Sequence, residues 1–286
     1  NITVPTTVAE ALEQCGNCSI LFGEPDRVRS LLPKAGNLRW IQSTWAGVTP
    51  LLAEGCRRDY LLTGVKGIFG PMMSEYVFCY MLMHERKAWQ RYRSGLRKKW
   101  DETRPGMLKG KRVGIMGVGS IGAHIAKTAK HFGMQTSGYT RSDESCQFID
   151  GYFHGDQMTA FVSDLDYLVC VLPNVSGTDG LIDAPLLNAM KKNAVLINVG
   201  RGNVIEEAAL VRSLSEGQIA GAVLDVFNEE PLPPDHPFWT APNLIVTAHT
   251  AALSFPEDIV PVFVENYRNF ISGKPLDYVI DFERGY

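Results

Sequence analysis

The chain has 286 residues, enough for two domains, and 45% of them are hydrophobic. Its 28 basic and 31 acidic residues give a formal charge of −3. This balance excludes a protein that binds nucleic acid through an excess of lysine and arginine, and the apolar content excludes a disordered chain. The opening residues lack the basic and apolar regions of a signal peptide. No apolar run reaches the roughly 18 residues of a membrane helix.

Short strands are predicted at 19–23 and 38–43, with short helices at 26–32 and 50–54. One long helix is predicted from Met73 to Trp100, with an apolar first half and a second half rich in arginine and lysine. Strands and helices then alternate, which indicates an α/β fold with a doubly wound parallel sheet. The strands are expected at 111–117, 134–139, 167–171, 194–198, 221–225 and 244–246, and the helices near 120–132, 159–163, 185–190, 206–216 and 257–271.

The six cysteines include one C-x-x-C pair, Cys15 and Cys18. A zinc site would need two further ligands at a suitable spacing, and none is present in the sequence. We therefore expect ordinary thiols, no metal site and a reducing, cytoplasmic compartment.

A glycine-rich loop, G-V-G-S-I-G over 117–122, lies between a predicted strand and a predicted helix. In such a loop the first glycine makes a tight turn, the second admits a pyrophosphate and the third lets helix and strand pack closely. The free N–H groups at the start of the helix then bind the phosphate charge. The flanking strand and helix make a dinucleotide site the preferred interpretation, and a glycine-rich turn without a ligand is the alternative.

The residues after the second strand of this domain indicate the cofactor. NAD-binding proteins place an acidic residue there to accept from the ribose 2′-hydroxyl, whereas this chain has Thr140, Arg141 and Ser142. Arg141 suits a 2′-phosphate, and the two hydroxyls can donate to it, so we predict NADPH as the preferred cofactor and NADH as the second. Asp143 and Glu144 weaken the argument, and a solvated role for Arg141 is the alternative.

Three further segments each follow the end of a predicted strand: 198–202 with Arg201, 224–233 with Glu230 and 246–252 with His249. Ligands in open α/β sheets bind outside the carboxyl ends of the strands. The order of these three segments resembles that of the D-isomer-specific 2-hydroxyacid dehydrogenase family. The runs 42–48 and 236–239 are most similar to its NADPH-dependent glyoxylate/hydroxypyruvate reductase A-like group.

The resemblance covers essentially the whole chain and implies two doubly wound domains. A Rossmann dinucleotide-binding domain at 76–255 would be inserted in a flavodoxin-like substrate domain made of 1–75 and 256–286, without that domain's usual first strand and helix. The implied activity is NADPH-dependent reduction of a small 2-oxo acid, such as glyoxylate or hydroxypyruvate, to the D-2-hydroxy acid. The long helix from Met73 would lie between the domains and in a homodimer interface.

The chemistry of such a reduction requires a cation for the substrate carboxylate and an acid for the carbonyl oxygen. Arg201 offers a planar fork that suits a carboxylate, and His249 can donate a proton near neutral pH. Glu230 would favour the charged imidazole and orient it.

The resemblance also assigns binding residues. The backbone N–H groups of Ala46 and Gly47 would receive the carboxylate, across a cleft from the nicotinamide. Trp45 would form a pocket wall, with an ordinary core position as its alternative. Asp225 would accept from the carboxamide of the cofactor. The other expected cofactor contacts are Gly117, Gly119, Ser120, Ile121, Gly122, Leu172, Pro173, Thr178, Val199, Gly200, Arg201, His249 and Ala251.

Three alternatives remain open. One is an NAD-dependent D-2-hydroxyacid dehydrogenase with other substrates. Another is a corepressor-like scaffold that binds dinucleotide and peptide partners; the absence of long polar tails in this sequence favours the enzyme. The third is a formate dehydrogenase of this fold, which is weaker because that group has Gln where Glu230 stands. The chain also departs from the family by having Ala248 where a proline usually precedes the catalytic histidine.

Overall fold

The computed structural model describes residues 2–141, 144–175, 177–283 and 285. The chain forms two compact units, of which the first combines 1–68 with 254–286 and the second comprises 69–253. The division at 68/69 precedes a helix that the sequence-based boundary at 75/76 would cut. No helix in the described ranges is long and apolar enough to cross a membrane.

The secondary structure alternates between helix and strand along the described residues. The elements before residue 100 are α1 Val8–Gln14, β1 Ile20–Gly23, α2 Pro25–Leu31, β2 Trp40–Ser43, α3 Thr49–Leu52, β3 Leu61–Thr63, α4 Gly70–Glu85 and α5 Ala88–Leu96. Those after it are β4 Arg112–Met116, α6 Ser120–His131, β5 Gln135–Tyr139, β6 Gly151–Phe153, α7 Met158–Val162, β7 Tyr167–Cys170, α8 Ala184–Ala189, β8 Val195–Asn198, α9 Glu207–Ser215, β9 Gly221–Leu224, β10 Leu244–Val246 and α10 Pro256–Ile271.

The described part of the second unit contains a seven-stranded parallel sheet in the order β10-β9-β8-β7-β4-β5-β6. Strands β7, β8 and β9 are buried along their whole length, as expected for a parallel sheet covered on both faces. The strand order reverses direction at β4, where β5 lies on one side and β7 on the other. This switch point places a crevice at the carboxyl ends of β4 and its neighbours, which is where ligands bind in such sheets.

Helices cover both faces of this sheet. On one face α4 and α6 pack together, with the rings of Phe78 and Phe132 stacked at 5.0 Å, over a core that includes Ile125. On the other face α7, α8 and α9 bury residues such as Phe161 and Leu210. The doubly wound fold predicted from the alternating pattern is therefore confirmed.

The first unit is built on a three-stranded parallel sheet in the order β1-β2-β3. The C-terminal helix α10 packs on this sheet, because the ring of Phe263 stacks on Phe22 at 4.5 Å and on Trp40 at 5.5 Å. The buried Asn266 donates to Gln42 Oε1 at 3.0 Å. Residues from the two ends of the chain thus share one core.

The single long helix predicted from Met73 to Trp100 is wrong, because α4 and α5 are separate helices. Lys87 between them has a left-handed φ of 54°, which no helix continues through. The Arg91 side chain folds back over this break, with Nε donating to the Arg86 carbonyl oxygen at 3.1 Å. Its Nη2 donates to the Thr103 carbonyl oxygen at 2.7 Å. These contacts satisfy the end of α4 and fix the turn.

Candidate active site

The glycine loop joins β4 to α6 in the geometry that a pyrophosphate requires. Gly117 has φ +96°, and a Cβ on Gly122 would lie 2.1 Å from the Gly117 carbonyl oxygen, so a side chain is excluded there. A Cβ on Gly119 would meet no atom within 4 Å, which leaves this side of the loop open. Gly119 caps α6 without a side-chain hydrogen bond, so the first N–H groups of the helix, at Ser120 and Ile121, are free for an anion. The loop therefore fits a dinucleotide.

Arg201 follows β8 on a loop fixed by its neighbours. Asn198 is fully buried, and its side chain accepts from Gly200 N at 3.1 Å and donates to the Arg201 carbonyl oxygen at 2.9 Å. A Cβ on Gly200 would lie 2.7 Å from the Leu172 carbonyl oxygen, and one on Gly202 only 2.0 Å from the Phe227 backbone carbon. The backbone around Arg201 is therefore clamped between the loops that follow β7 and β9.

The Arg201 guanidinium is partly buried and makes few hydrogen bonds. Its Nη1 donates to the Gly200 carbonyl oxygen at 2.6 Å, and within the described ranges no other hydrogen bond or ion pair engages it. Burial lowers the pKa of Arg201, and the charge of Glu230 opposes that shift. The group remains a cation with free N–H donors, which suits a substrate carboxylate.

Glu230 and His249 form the second charged element of the site. His249 Nδ1 lies 2.7 Å from Glu230 Oε2, while Glu230 Oε1 accepts from Phe227 N at 2.9 Å. The carboxylate is thus anchored on one side and holds the imidazole on the other. With Nδ1 engaged, Nε2 is the ring nitrogen that remains for exchange of a proton with a ligand.

Asp225 organises the loop that carries His249. It is only 1% exposed, and its carboxylate accepts from Thr250 N and Ala251 N, both at 2.9 Å, and from Thr247 Oγ1 at 2.5 Å. His249 N also donates to the Asp225 carbonyl oxygen at 2.8 Å. His249 has a left-handed φ of 55°, which is uncommon for a residue other than glycine and is held here by these bonds. A contact from Asp225 to the carboxamide of a cofactor stays a prediction.

Tyr76 on α4 completes this network. Its hydroxyl lies 2.7 Å from Thr247 Oγ1. Because Thr247 gives its only proton to the Asp225 carboxylate, it must accept from Tyr76. Burial raises the pKa of Tyr76, so this hydroxyl stays a donor. Sequence reasoning missed Tyr76, Thr247 and the buried Asn198, since their roles depend on residues far away in the chain.

The loop after β7 supplies another wall of the crevice. The Thr178 hydroxyl lies 3.1 Å from the Pro173 carbonyl oxygen and 2.8 Å from the Val175 carbonyl oxygen, which braces the loop. Val199 and Ala251 have side chains buried in the core. Any contact from these two residues to a cofactor would therefore use the backbone.

The expected 2′-phosphate position lies at the carboxyl end of β5. Thr140 N donates to the Phe153 carbonyl oxygen of the neighbouring strand β6 at 3.2 Å, and Arg141 follows it on the exposed surface. Ser142, which was also predicted to bind the cofactor, lies outside the described residues.

The predicted substrate residues of the first unit lie on the loop between β2 and α3. Ser43 Oγ donates to the Trp45 carbonyl oxygen at 2.8 Å and accepts from Trp45 N at 3.0 Å, which sets the turn. Trp45 is 41% exposed, so it is not a core residue. In the described part of the chain, Ala46 N and Gly47 N donate to no other residue. Their role in binding a carboxylate stays a prediction.

A Rossmann sheet, a glycine loop fitted to pyrophosphate and an arginine beside a histidine–glutamate pair define a dinucleotide-dependent oxidoreductase. Residues 78–251 match the family described as D-isomer specific 2-hydroxyacid dehydrogenase, NAD binding domain. The chain therefore belongs to the D-isomer specific 2-hydroxyacid dehydrogenase family.

Individual proteins show the same similarity. Glyoxylate/hydroxypyruvate reductase A of Photorhabdus laumondii is 32% identical over 263 residues, which cover 90% of this chain and 84% of the relative. A D-isomer specific 2-hydroxyacid dehydrogenase family protein of Aeromonas salmonicida has a solved structure with a TM-score of 0.93 at 45% identity, covering 97% of this chain and 90% of that one.

A third relative was solved with a cofactor. The NADPH-dependent glyoxylate/hydroxypyruvate reductase of Sinorhizobium meliloti, in complex with NADP and sulfate, matches with a TM-score of 0.87 at 30% identity. The match covers 96% of this chain and 89% of that one. The family resemblance predicted from the ordered Arg201, Glu230 and His249 segments is thus confirmed.

Proposed function

We propose that this protein reduces a small 2-oxo acid, such as glyoxylate or hydroxypyruvate, to the D-2-hydroxy acid with NADPH. The observation that carries the proposal is the conjunction of Arg201, with free N–H donors, and the Glu230–His249 pair at the carboxyl edge of the sheet that bears the glycine loop. Relatives named as glyoxylate/hydroxypyruvate reductases, one of them NADPH-dependent, support the choice of substrate and cofactor.

The side chains divide the work of the reduction. Arg201 binds the substrate carboxylate through its planar fork and so orients the carbonyl. A nicotinamide cofactor held at the glycine loop would supply the hydride. His249 donates the Nε2 proton to the carbonyl oxygen as negative charge develops there, and Glu230 stabilises the imidazolium through Nδ1. We further propose that Trp45, Ala46 and Gly47 contact the substrate, on the strength of the family resemblance.

Initial rates of NADPH and NADH oxidation over a panel of 2-oxo acids test this proposal. We expect turnover of glyoxylate and hydroxypyruvate, faster per unit KM with NADPH than with NADH. Dinucleotide binding without turnover of any 2-oxo acid would contradict the proposal and favour a corepressor-like scaffold instead.

Arg141 is the residue proposed to favour NADPH over NADH. Arg141→Ala is expected to raise the KM for NADPH by about 10-fold, because a charged hydrogen bond to the 2′-phosphate is lost. The KM for NADH should stay almost unchanged, since its 2′-hydroxyl carries no charge. Steady-state kinetics with both cofactors measure the effect, and an equal loss with both would show that Arg141 is structural.

We also propose that the protein is a homodimer. The first half of the long helix, now α4, was predicted to supply the interface; its Val77 and Met81 are buried within the second unit, whereas Leu82 is 36% exposed. A further exposed apolar cluster lies on α5, where Trp89, Tyr92 and Leu96 are 47%, 60% and 70% exposed. A cluster of this kind marks an interaction surface.

Light scattering at micromolar concentration tests the dimer. We expect a mass twice that of the 31.7 kDa chain for the wild type. Leu96→Asp should shift the protein to monomer, because a carboxylate would be buried in the interface. Lys192→Gln, at an exposed position outside α5, changes the net charge by the same one unit and is the matched control. A monomeric wild type would contradict the proposal.

We propose that the protein acts in the cytoplasm. All six cysteines are free thiols, which supports a reducing compartment.

A further inference from the structure

His154 and Glu144 form a charged pair beside the residues that follow β5. His154 is the first residue after β6. Its Nδ1 lies 2.9 Å from the Thr140 carbonyl oxygen, and its Nε2 lies 2.6 Å from Glu144 Oε1. Both side chains reach solvent, with 31% of His154 and 58% of Glu144 exposed. The imidazole thus joins the end of β5 to an acidic side chain that an incoming anion can displace.

The position of this pair relates it to cofactor choice. Tyr139 of β5 is paired in register with Phe153 of β6, so Thr140 and His154 lie side by side where the two parallel strands end. The residue after the second strand of a Rossmann domain reads the ribose 2′ substituent. His154 therefore sits one strand away from the position that distinguishes NADPH from NADH.

The hydrogen bonds of His154 favour the charged form of its ring. A carbonyl oxygen accepts only, so Nδ1 carries a proton, and the carboxylate beside Nε2 requires a proton there as well. The Glu144 carboxylate, followed by the Thr140 carbonyl, raises the pKa of His154. The backbone is held in place because His154 N donates to Gln157 Oε1 at 2.9 Å. The result is an oriented ring whose charged form is stabilised by an anion at its outer nitrogen.

We propose that this pair exchanges anions: His154 Nε2 donates to the 2′-phosphate of NADPH, and Glu144 holds that nitrogen when NADH or no cofactor is bound. The inference rests on the proposed use of NADPH. A phosphate carries about two charges and three acceptor oxygens, against one charge on Glu144, so it is the stronger partner for the imidazolium. The neutral 2′-hydroxyl of NADH has no comparable attraction and leaves Glu144 in place.

Other charged groups around the ring are consistent with this role. Arg141, next to Thr140, adds a positive charge of the same sign as His154. Asp156 follows in the turn Gly155–Gln157, and the ring of Tyr152 lies parallel to the imidazole at 6.4 Å. Of these groups, Glu144 is the one whose charge raises the pKa of His154, so its removal has the clearest consequence.

Equilibrium binding, followed by quenching of tryptophan fluorescence, tests the exchange between about pH 6 and pH 9. The ligands are NADPH, NADH and 2′,5′-ADP, the last detected by displacement of NADH. The proteins are wild type, His154→Gln, Glu144→Gln and the control His131→Gln, which changes an exposed histidine at the far end of α6.

His154→Gln should lower the affinity for NADPH and for 2′,5′-ADP by about 3- to 10-fold at the acid end of the pH range. The affinity for NADH should be unchanged. Glu144→Gln should raise the affinity for both 2′-phosphate ligands at the acid end of the range, because a competing anion is removed. The preference of the Glu144→Gln variant for NADPH over NADH should also be lost at a lower pH than in the wild type. The reason is that Glu144 no longer raises the pKa of His154. The 2′-phosphate itself ionises at about pH 6. The pH dependence that remains in His154→Gln measures this contribution.

The outcomes separate this inference from the proposed function. A wild type that prefers NADPH, with His154→Gln keeping the same ratio of NADPH to NADH affinity, overturns the exchange and leaves the proposed cofactor intact. An equal loss of NADH binding in His154→Gln also overturns it, because a structural role would act on both cofactors. A wild type that binds both cofactors equally overturns the proposed cofactor choice and this inference with it.

Discussion

Replacing His249 with Ala is expected to lower the turnover number for 2-oxo acid reduction by about 10²- to 10⁴-fold at every pH. The imidazole is the proposed source of the proton that reaches the carbonyl oxygen. A water molecule that replaced the ring in the variant would lack the orientation that Glu230 gives to His249. NADPH binding, measured by fluorescence, should change little. A variant that keeps more than a tenth of the wild-type turnover would remove His249 from its role as the acid.

Glu230→Gln tests the contribution of the carboxylate that is hydrogen-bonded to His249. The Gln carbonyl can keep the hydrogen bond from Phe227 N, which turns the amide NH₂ towards Nδ1 of His249. An amide N–H favours the neutral ring, whereas the carboxylate favours the charged one. The turnover number for reduction should therefore fall, while affinity for NADPH stays nearly unchanged. A Gln variant with the turnover number of the wild type would show that Glu230 does not assist His249.

Arg201→Lys is the second change with a large expected effect. The charge is kept but the planar fork is lost, and an ammonium is more strongly hydrated than the partly buried guanidinium it replaces. We expect kcat/KM for 2-oxo acids to fall by about 10- to 150-fold, the size of a charged hydrogen bond of about 1.5–3 kcal/mol. Affinity for NADPH should be nearly intact, because the glycine loop is untouched. Near-native kcat/KM in the Lys variant would contradict a bidentate role.

The second unit could be predicted well because its signals are local. Each strand of its sheet from β7 onwards is a short apolar run, and the glycine loop has fixed spacing between a strand and a helix. The ends of these strands place Arg201, Glu230 and His249 at one edge, so the candidate site could be predicted from the alternating strand pattern together with the family resemblance.

The parts that were missed depend on contacts between distant residues. No glycine or proline marks the break at Lys87, which is stabilised by Arg91 reaching the Thr103 carbonyl oxygen. The edge strand β6 is only three residues long, too short for an alternating pattern to identify it. The place of His154 beside Thr140 follows from that strand and so could not be predicted without it.

Asp225 shows the same limit within the active site. The family resemblance implied a contact from Asp225 to the cofactor, which stays a prediction, but gave no indication that its carboxylate also accepts from Thr247, Thr250 and Ala251 of the His249 loop. The first of these is in turn bonded to Tyr76, 171 residues away in the chain. A pattern of residue types indicates which groups reach the edge of the sheet, but not which of them hold the others in place.

The most direct test of the central claim is the product of hydroxypyruvate reduction, analysed by chiral chromatography against the NADPH consumed. We expect D-glycerate in a one-to-one ratio with the NADP⁺ formed, and an initial rate of product formation at least about 100-fold lower from His249→Ala. The L isomer, or NADPH binding without any consumption across the panel of 2-oxo acids, would contradict the account.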